Sequence, residues 1–305
     1  YKVGLLIPKA ISQVAKTILS PITHIRNFIS AGAFAGANGI FTPGYGNISA
    51  LAPELLGGKG MFGQAYGTSF KGTFGGDVSA PYQLLRKRMQ RVDVLSSSVV
   101  GRDIDAFVKQ LFTDPVTADK KAYQELSGFA NKSIGQLRGV YGKLQELYLK
   151  EDDFWKSLTW GVETSRYGNV VKELGINKDN YMKVLTAPEF GSKGFDDLAR
   201  EVGMTPETLR DSSKYFRGLV KRQDVVSESF QGFLDEVVGS LVRDLVPNYN
   251  YIGRTGKALR LTPFGNFIAF PLEIMRTGNN IMAQSINEIT SGIPQIRNIG
   301  LQRLF

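Results

Sequence analysis

Three consecutive carboxylates, Glu151-Asp152-Asp153, stand directly before Phe154-Trp155. Paired carboxylates can serve as general acid and base, or hold a divalent cation, when they converge on one point. Consecutive residues fan around a helix axis at 3.6 per turn, so this triplet does not converge. The sole histidine, His24, excludes any site built on two imidazoles, and the absence of cysteine excludes disulfides and thiolate metal centres. Gly58-Lys59-Gly60-Met61-Phe62-Gly63 spells G-x-G-x-x-G. The dinucleotide fingerprint needs a buried strand before it and a helix after it, and neither pattern is evident. These residues assign no catalytic group, metal ligand or cofactor-binding residue, and the chain is expected to be no enzyme and to use no cofactor.

Cations offer a different chemistry, contact with phosphate. Arg86, Lys87, Arg88 and Arg91 form the densest basic cluster, and Arg254, Lys257 and Arg260 line an aromatic stretch, NYNYIGRTGKALRL. Such groups neutralise phosphates or lipid headgroups without reading sequence. The formal net charge is +9. Residues 1–100 hold ten Lys/Arg against three Asp/Glu, and residues 241–305 hold seven against three. Basic ends thus flank a near-neutral middle, which suits nucleic acid, anionic lipid or acidic protein surfaces; a solvated surface is the plainer alternative. Asp197 to Arg210 has helix-turn-helix offsets at Ala199, Gly203 and Leu209. Its second helix would offer Glu207, Thr208, Arg210 and Asp211 to a major groove, and two acids among four positions oppose that use.

The elements that would position these groups are helical. Apolar stripes recur at i, i+3, i+4 and i+7 through residues 8–30, 81–112, 117–168 and 178–246. Ser20-Pro21 breaks the first of these, with Ser20 as a cap for the helix that follows. Thr205 should cap a helix that Pro206 opens, and Pro188 to Gly194 and Gly203 should be turns. Phe230, Phe233, Leu234, Val237, Val238, Leu241, Val242 and Leu245 make the strongest stripe, ending at Pro247. Between about residues 42 and 80 the glycines stand among Met61, Phe62, Tyr66, Phe70 and Phe74, which predicts an irregular loop with apolar anchors. Gly32 and Gly36 in FISAGAFAGANGIF allow another helix to approach closely.

The closing stretch, Thr262 to Phe305, predicts two helices. Pro271 suits the first position of one, with Ile274, Ile281, Met282, Ser285 and Ile289 on a face. Gly292 should end it and Pro294 open the next, striped by Ile293, Ile296, Gly300, Leu301 and Leu304. Gly32, Gly36, Ile281, Ile289, Ile296 and Leu304 are the candidate helix-packing and assembly face. The fold class expected is mainly α: a multi-helix, partly extended module with the long Gly/aromatic loop and little or no β-sheet. The natural divisions are residues 1–80, 81–247 and 248–305. The chain opens on Tyr1 and ends inside an apolar pattern, and is read as a fragment or processed product. No charge-free apolar run reaches the ~18 residues of an ordinary membrane span.

FGNFIAFPLEIMRTGNNIMAQSINEI, followed by IPQIRNIGLQRL, resembles a recurring region of very large tailed-phage virion proteins, the internal or ejection proteins and related large polyvalent proteins. Leu19 to Asn38 (LSPITHIRNFISAGAFAGAN) and Leu147 to Tyr167 (LYLKEDDFWKSLTWGVETSRY) have the same look. The resemblance implies a structural segment located in the virion and delivered to the host envelope at infection. Its implied partners are copies of itself and other portal, tail or internal virion proteins. Phage DNA, bound nonspecifically, and the host inner membrane after ejection are further expected contacts. The alternatives are an enzyme-bearing fragment that cleaves peptidoglycan and a DNA-binding helical module.

Overall fold

The computed structural model describes residues 21–42, 61–70, 80–95, 150–247 and 269–304, and every regular element among them is a helix. In chain order these are α1 (Pro21–Ala37), α2 (Met61–Ser69), α3 (Ala80–Arg91), α4 (residues 150–173), α5 (Tyr181–Leu185), α6 (Lys193–Val202), α7 (Pro206–Leu219), α8 (Gln223–Glu228), α9 (Phe230–Leu245), α10 (Ala269–Ile289) and α11 (Pro294–Leu304). The mainly α expectation therefore holds, and no strand occurs among the described residues. No described helix is long and apolar enough to cross a membrane.

Helix ends follow the sequence where a cap is written into it. The Ser192 hydroxyl accepts the Phe195 N–H ahead of α6, and Gly203 closes α6 at φ 72°. The Thr205 hydroxyl accepts from Thr208 N–H, with Pro206 opening α7. The Ser229 hydroxyl caps α9 through Gly232 N–H. Each such cap supplies a partner to an N–H that the helix itself leaves unpaired. Gly292 turns at φ 76° between α10 and α11. Pro271 is the third residue of α10 rather than its first; the first four N–H groups of a helix have no internal partner, so its missing donor costs nothing there.

Two expected boundaries differ. The helix read over 81–112 stops at Arg91. Asp93 takes φ 57°, Val94 N–H bonds Met89 C=O at 2.9 Å, and Asp93 N–H bonds Gln90 C=O at 3.1 Å. This is a Schellman ending built on Asp where Gly is usual, and the hydrophobic contact that accompanies such endings is supplied by buried Val94 and Met89. Residues 96–149 lie outside the described residues. The expected loop at 42–80 contains helix α2. Gly67 permits it, because a Cβ there would collide with the Tyr82 ring of α3. Tertiary contact thus overrides the poor helix propensity of glycine. Residues 43–60 and 71–79 lie outside the described residues, as do residues 1–20 and the side chain of His24.

Contacts group the chain into two units, each drawn from three separated stretches and so cutting across the serial division expected above. Of the first (1–30, 96–152, 249–272), the described residues are helical. The second (31–95, 153–248, 273–305) holds both hydrophobic clusters. Its centre is α9, buried on almost every side and packed on α3, α7 and α8. Val92 fits against Gly239 of α9, where a Cβ would come within 2.7 Å of its methyl. Tyr167, Phe195, Leu209, Phe216, Phe233, Leu241 and Leu245 fill the main cluster. A smaller cluster gathers Ala35, Ile40, Ala65, Phe154, Trp155, Leu158 and Val162.

Candidate functional site: a buried ionic cluster

Within this second unit the most unusual chemistry is polar and fully enclosed. Glu163, Arg166 and Tyr167 lie on consecutive turns of α4, Glu288 on α10 and Arg303 on α11, and the side chains of Glu163, Arg166, Glu288 and Arg303 have no exposure. Arg303 reaches two carboxylates at once. Its Nη1 and Nη2 donate to the two oxygens of Glu163 at 2.9 and 2.6 Å. Its Nε lies 3.0 and 2.9 Å from the two oxygens of Glu288. Arg166 Nη1 donates to Glu163 at 2.8 Å and to the Asn38 carbonyl at 3.1 Å, and its Nη2 to the Gly39 carbonyl at 2.8 Å.

A proton chain continues from Glu288 into α7. Tyr167 O–H donates to Glu288 Oε1 at 2.8 Å. The Tyr215 hydroxyl therefore donates to Tyr167, 2.6 Å away, and accepts from Gln284 Nε2 at 3.0 Å. The two phenol rings stack at 6.4 Å with planes 6° apart. Burial alone would raise the Glu163 carboxyl, but Arg303 and Arg166 outweigh it and hold the group below its ordinary range. Burial, then the Glu288 carboxylate, pushes both phenols well above theirs. Burial weakens the Arg303 proton, yet the Glu163 and Glu288 carboxylates more than reverse that.

Two guanidinium cations thus face two carboxylates, each carboxylate oxygen already accepting at least one hydrogen bond. Desolvating four charges costs several kcal/mol per ion unless pairing and hydrogen bonds offset it, and here both are provided. With its acceptors occupied and no solvent access, the cluster is built to join helices. Among the described residues no group of three His, Asp or Glu is arranged to hold a metal ion.

The sequence-expected sites have other neighbours. Arg86 donates to the Thr68 carbonyl at 3.1 Å and to Asp153 at 3.3 Å. Arg88 grips Asp235 with Nε and Nη2 at 3.1 and 2.6 Å, and Arg91 pairs with Glu228. Three cations of the basic cluster therefore brace α3 against α2, α4, α8 and α9, while Lys87 is exposed. Arg254, Lys257 and Arg260 lie outside the described residues. The candidate assembly face is mostly internal. Gly32 meets the Trp155 ring and Gly36 the Phe41 ring, both within this chain. Ile281 and Ile296 are core, Ile289 is half-buried, and Leu304 is exposed. On the helix-turn-helix, Arg210 is turned to Asp211 and to the Phe190 ring, 5.0 Å from its centroid. The Gly292 turn packs on Asp211. Glu207 stays exposed and Thr208 half-buried.

Comparison with family models, with curated proteins and with solved structures returns no match.

The cluster residues were missed because only apolar stripes were followed into the core. A signal existed. Ile296, Ile299 and Arg303 fall at i, i+3 and i+7, which puts a guanidinium on the apolar side of α11. Glu163, Tyr167 and Val170 do the same on α4.

Proposed function

We propose that this chain is a structural segment of a tailed-phage internal, or ejection, protein. It packs with other virion proteins and with copies of itself, and helps deliver the genome through the host envelope. The observation carrying this reading is where the three phage-like stretches meet. Asn38 from the first, Glu163, Arg166 and Tyr167 from the second, and Gln284, Glu288, Gln302 and Arg303 from the third all join the one buried cluster. Residues more than a hundred positions apart, one set from each stretch, thus share one structural purpose, which is to fix a helical block. Saturated carboxylates suit a building block better than a hydrolase. The ion-paired state of Arg86, Arg88 and Arg91 weakens the reading of α3 as a DNA contact.

The test is mass spectrometry of purified phage particles before and after genome release. The protein should be present in full particles and depleted from emptied ones. Presence in both, or absence from full particles, would overturn the reading. Release of soluble fragments from purified peptidoglycan by this chain would replace it with the enzymatic alternative.

A further inference from the structure

The helix that feeds Glu288 into the cluster has its polarity reversed. Glu273, Thr277, Ser285 and Glu288 of α10 are buried, while Met275, Met282 and Ile286 are 62, 59 and 57% exposed. Met275, Asn279, Met282 and Ile286 follow one another at steps of 4, 3 and 4, the a/d spacing of a coiled coil. At 3.6 residues per turn they share one narrow stripe, opposite the buried one. The stripe carries no charge; of its flanks, Gly278, Ala283 and Thr290 are neutral, and Arg276 is paired with Glu273 of the same helix. Interface centres are depleted of charge and enriched in Met.

We infer that this stripe is the seam along which α10 of one chain pairs, in parallel, with α10 of a second copy. Three observations select a second copy. The chain carries a net charge of +9, so two copies repel over most of their surface; the stripe itself brings no like charges together, and its flanking Arg276 is neutralised by Glu273. Asn279 sits mid-seam at a core position, where two such amides hydrogen-bond each other and fix a parallel register. In an antiparallel pair centred on this stripe, Asn279 would face Met282 and bury an unpaired amide, which is unfavourable. The seam is short: four positions span about 17 Å of axis. It covers less than the roughly 1,200–2,000 Å² of a stable interface, so pairing is reversible and concentration-dependent. This deepens, and rests on, the self-packing part of the proposed function; the particle test above can fail without touching the seam.

The chain has no cysteine, which makes the register directly testable. Equilibrium sedimentation of the full chain should show monomer passing to dimer with rising concentration. Met282→Glu should weaken association at least tenfold with the helical circular dichroism unchanged; Met282→Gln serves if the glutamate variant loses that signal. Under mild oxidation, Asn279→Cys should form a disulfide-linked dimer, since a parallel pair brings both copies of position 279 together. Lys172→Cys, on the exposed surface of α4, should not. A chain monomeric at every concentration overturns the inference, as does a dimer indifferent to Met282→Glu. In a mixture of Met275→Cys and Ile286→Cys, a mixed 275–286 disulfide forming in preference to the 275–275 and 286–286 disulfides also overturns it, in favour of an antiparallel pair.

Discussion

Arg303 and Glu163 face each other as a two-pronged pair, with contacts of 2.9 and 2.6 Å between residues 140 positions apart. Neither side chain touches solvent. The pair ties the last turn of α11 to the middle of α4, and through Arg303 Nε to α10. The unit is thereby closed by charge as much as by the Ile293, Ile296 and Ile299 side chains of the same region.

Removing one charge should cost more than removing a cation together with a carboxylate that it serves. Arg303→Met leaves Glu163 and Glu288 buried with their main counter-charge gone, and should lower unfolding stability by about 3–5 kcal/mol. Adding Glu288→Gln, which leaves Glu163 paired with Arg166, should recover part of that loss. Urea unfolding of the single and double variants measures both. A single variant as stable as the parent would mean that the pair is not buried in solution.

Stability should fall at both ends of the pH scale. Glu163 binds its proton more weakly in the fold than at its ordinary 4.5. Its contribution is complete above that value and is lost as pH falls through the lower, folded one. Tyr167 and Tyr215 hold their protons well above the ordinary 10.0. Their contribution is complete below about 10 and is lost as pH rises through the folded values. Denaturant midpoints across pH, with tyrosinate absorbance on the alkaline side, should show these phenols ionising only as the chain unfolds. Converting both to Phe should flatten the alkaline limb.

Two glycine substitutions should act in opposite directions. A Cβ on Gly300 would sit 2.7 Å from Glu288 Cβ, 2.8 Å from the Ser285 carbonyl oxygen and 2.9 Å from the Ile289 nitrogen. Backbone cannot yield there, so Gly300→Ala should push α11 off α10 and cost about 1–3 kcal/mol. Gly168 is helical, and a Cβ there would meet nothing within 4 Å. Gly168→Ala should therefore stabilise by about 0.4–1 kcal/mol. Thermal unfolding of the two variants separates the cases.

The basic cluster on α3 should behave as a brace. Arg88→Ala strips Asp235, largely buried, of its two-pronged partner and leaves it, among the described residues, the Gln231 amide. It should lower stability by about 1–3 kcal/mol. Lys87→Ala, on the exposed side, should stay within about 0.5 kcal/mol. Thermal melts test both, and loss of duplex-DNA affinity without loss of stability in Arg88→Ala would return the cluster to phosphate binding.

The sequence by itself determined what short-range chemistry determines. The helix after Thr205, the turns at Gly203 and Gly292, and the stripe of α9 were all legible. Capping hydroxyls, left-handed glycines and 3.6-residue periodicity act over a few residues. Only the tertiary structure decided which face of α10 and α11 goes inside. Periodicity put Met282, Leu301 and Leu304 with Ile281, Ser285, Ile293, Ile296 and Gly300 on the apolar stripes; the fold buries the latter five but exposes the former three, and buries Glu288 and Arg303 instead. Burying a Leu contributes about 1.5–3 kcal/mol. An unpaired buried charge costs more than that, so Arg303 can displace Leu304 only because α4 and α10 present carboxylates at that point. Glu288 is 15 positions from Arg303 and Glu163 is 140, and no local pattern contains both.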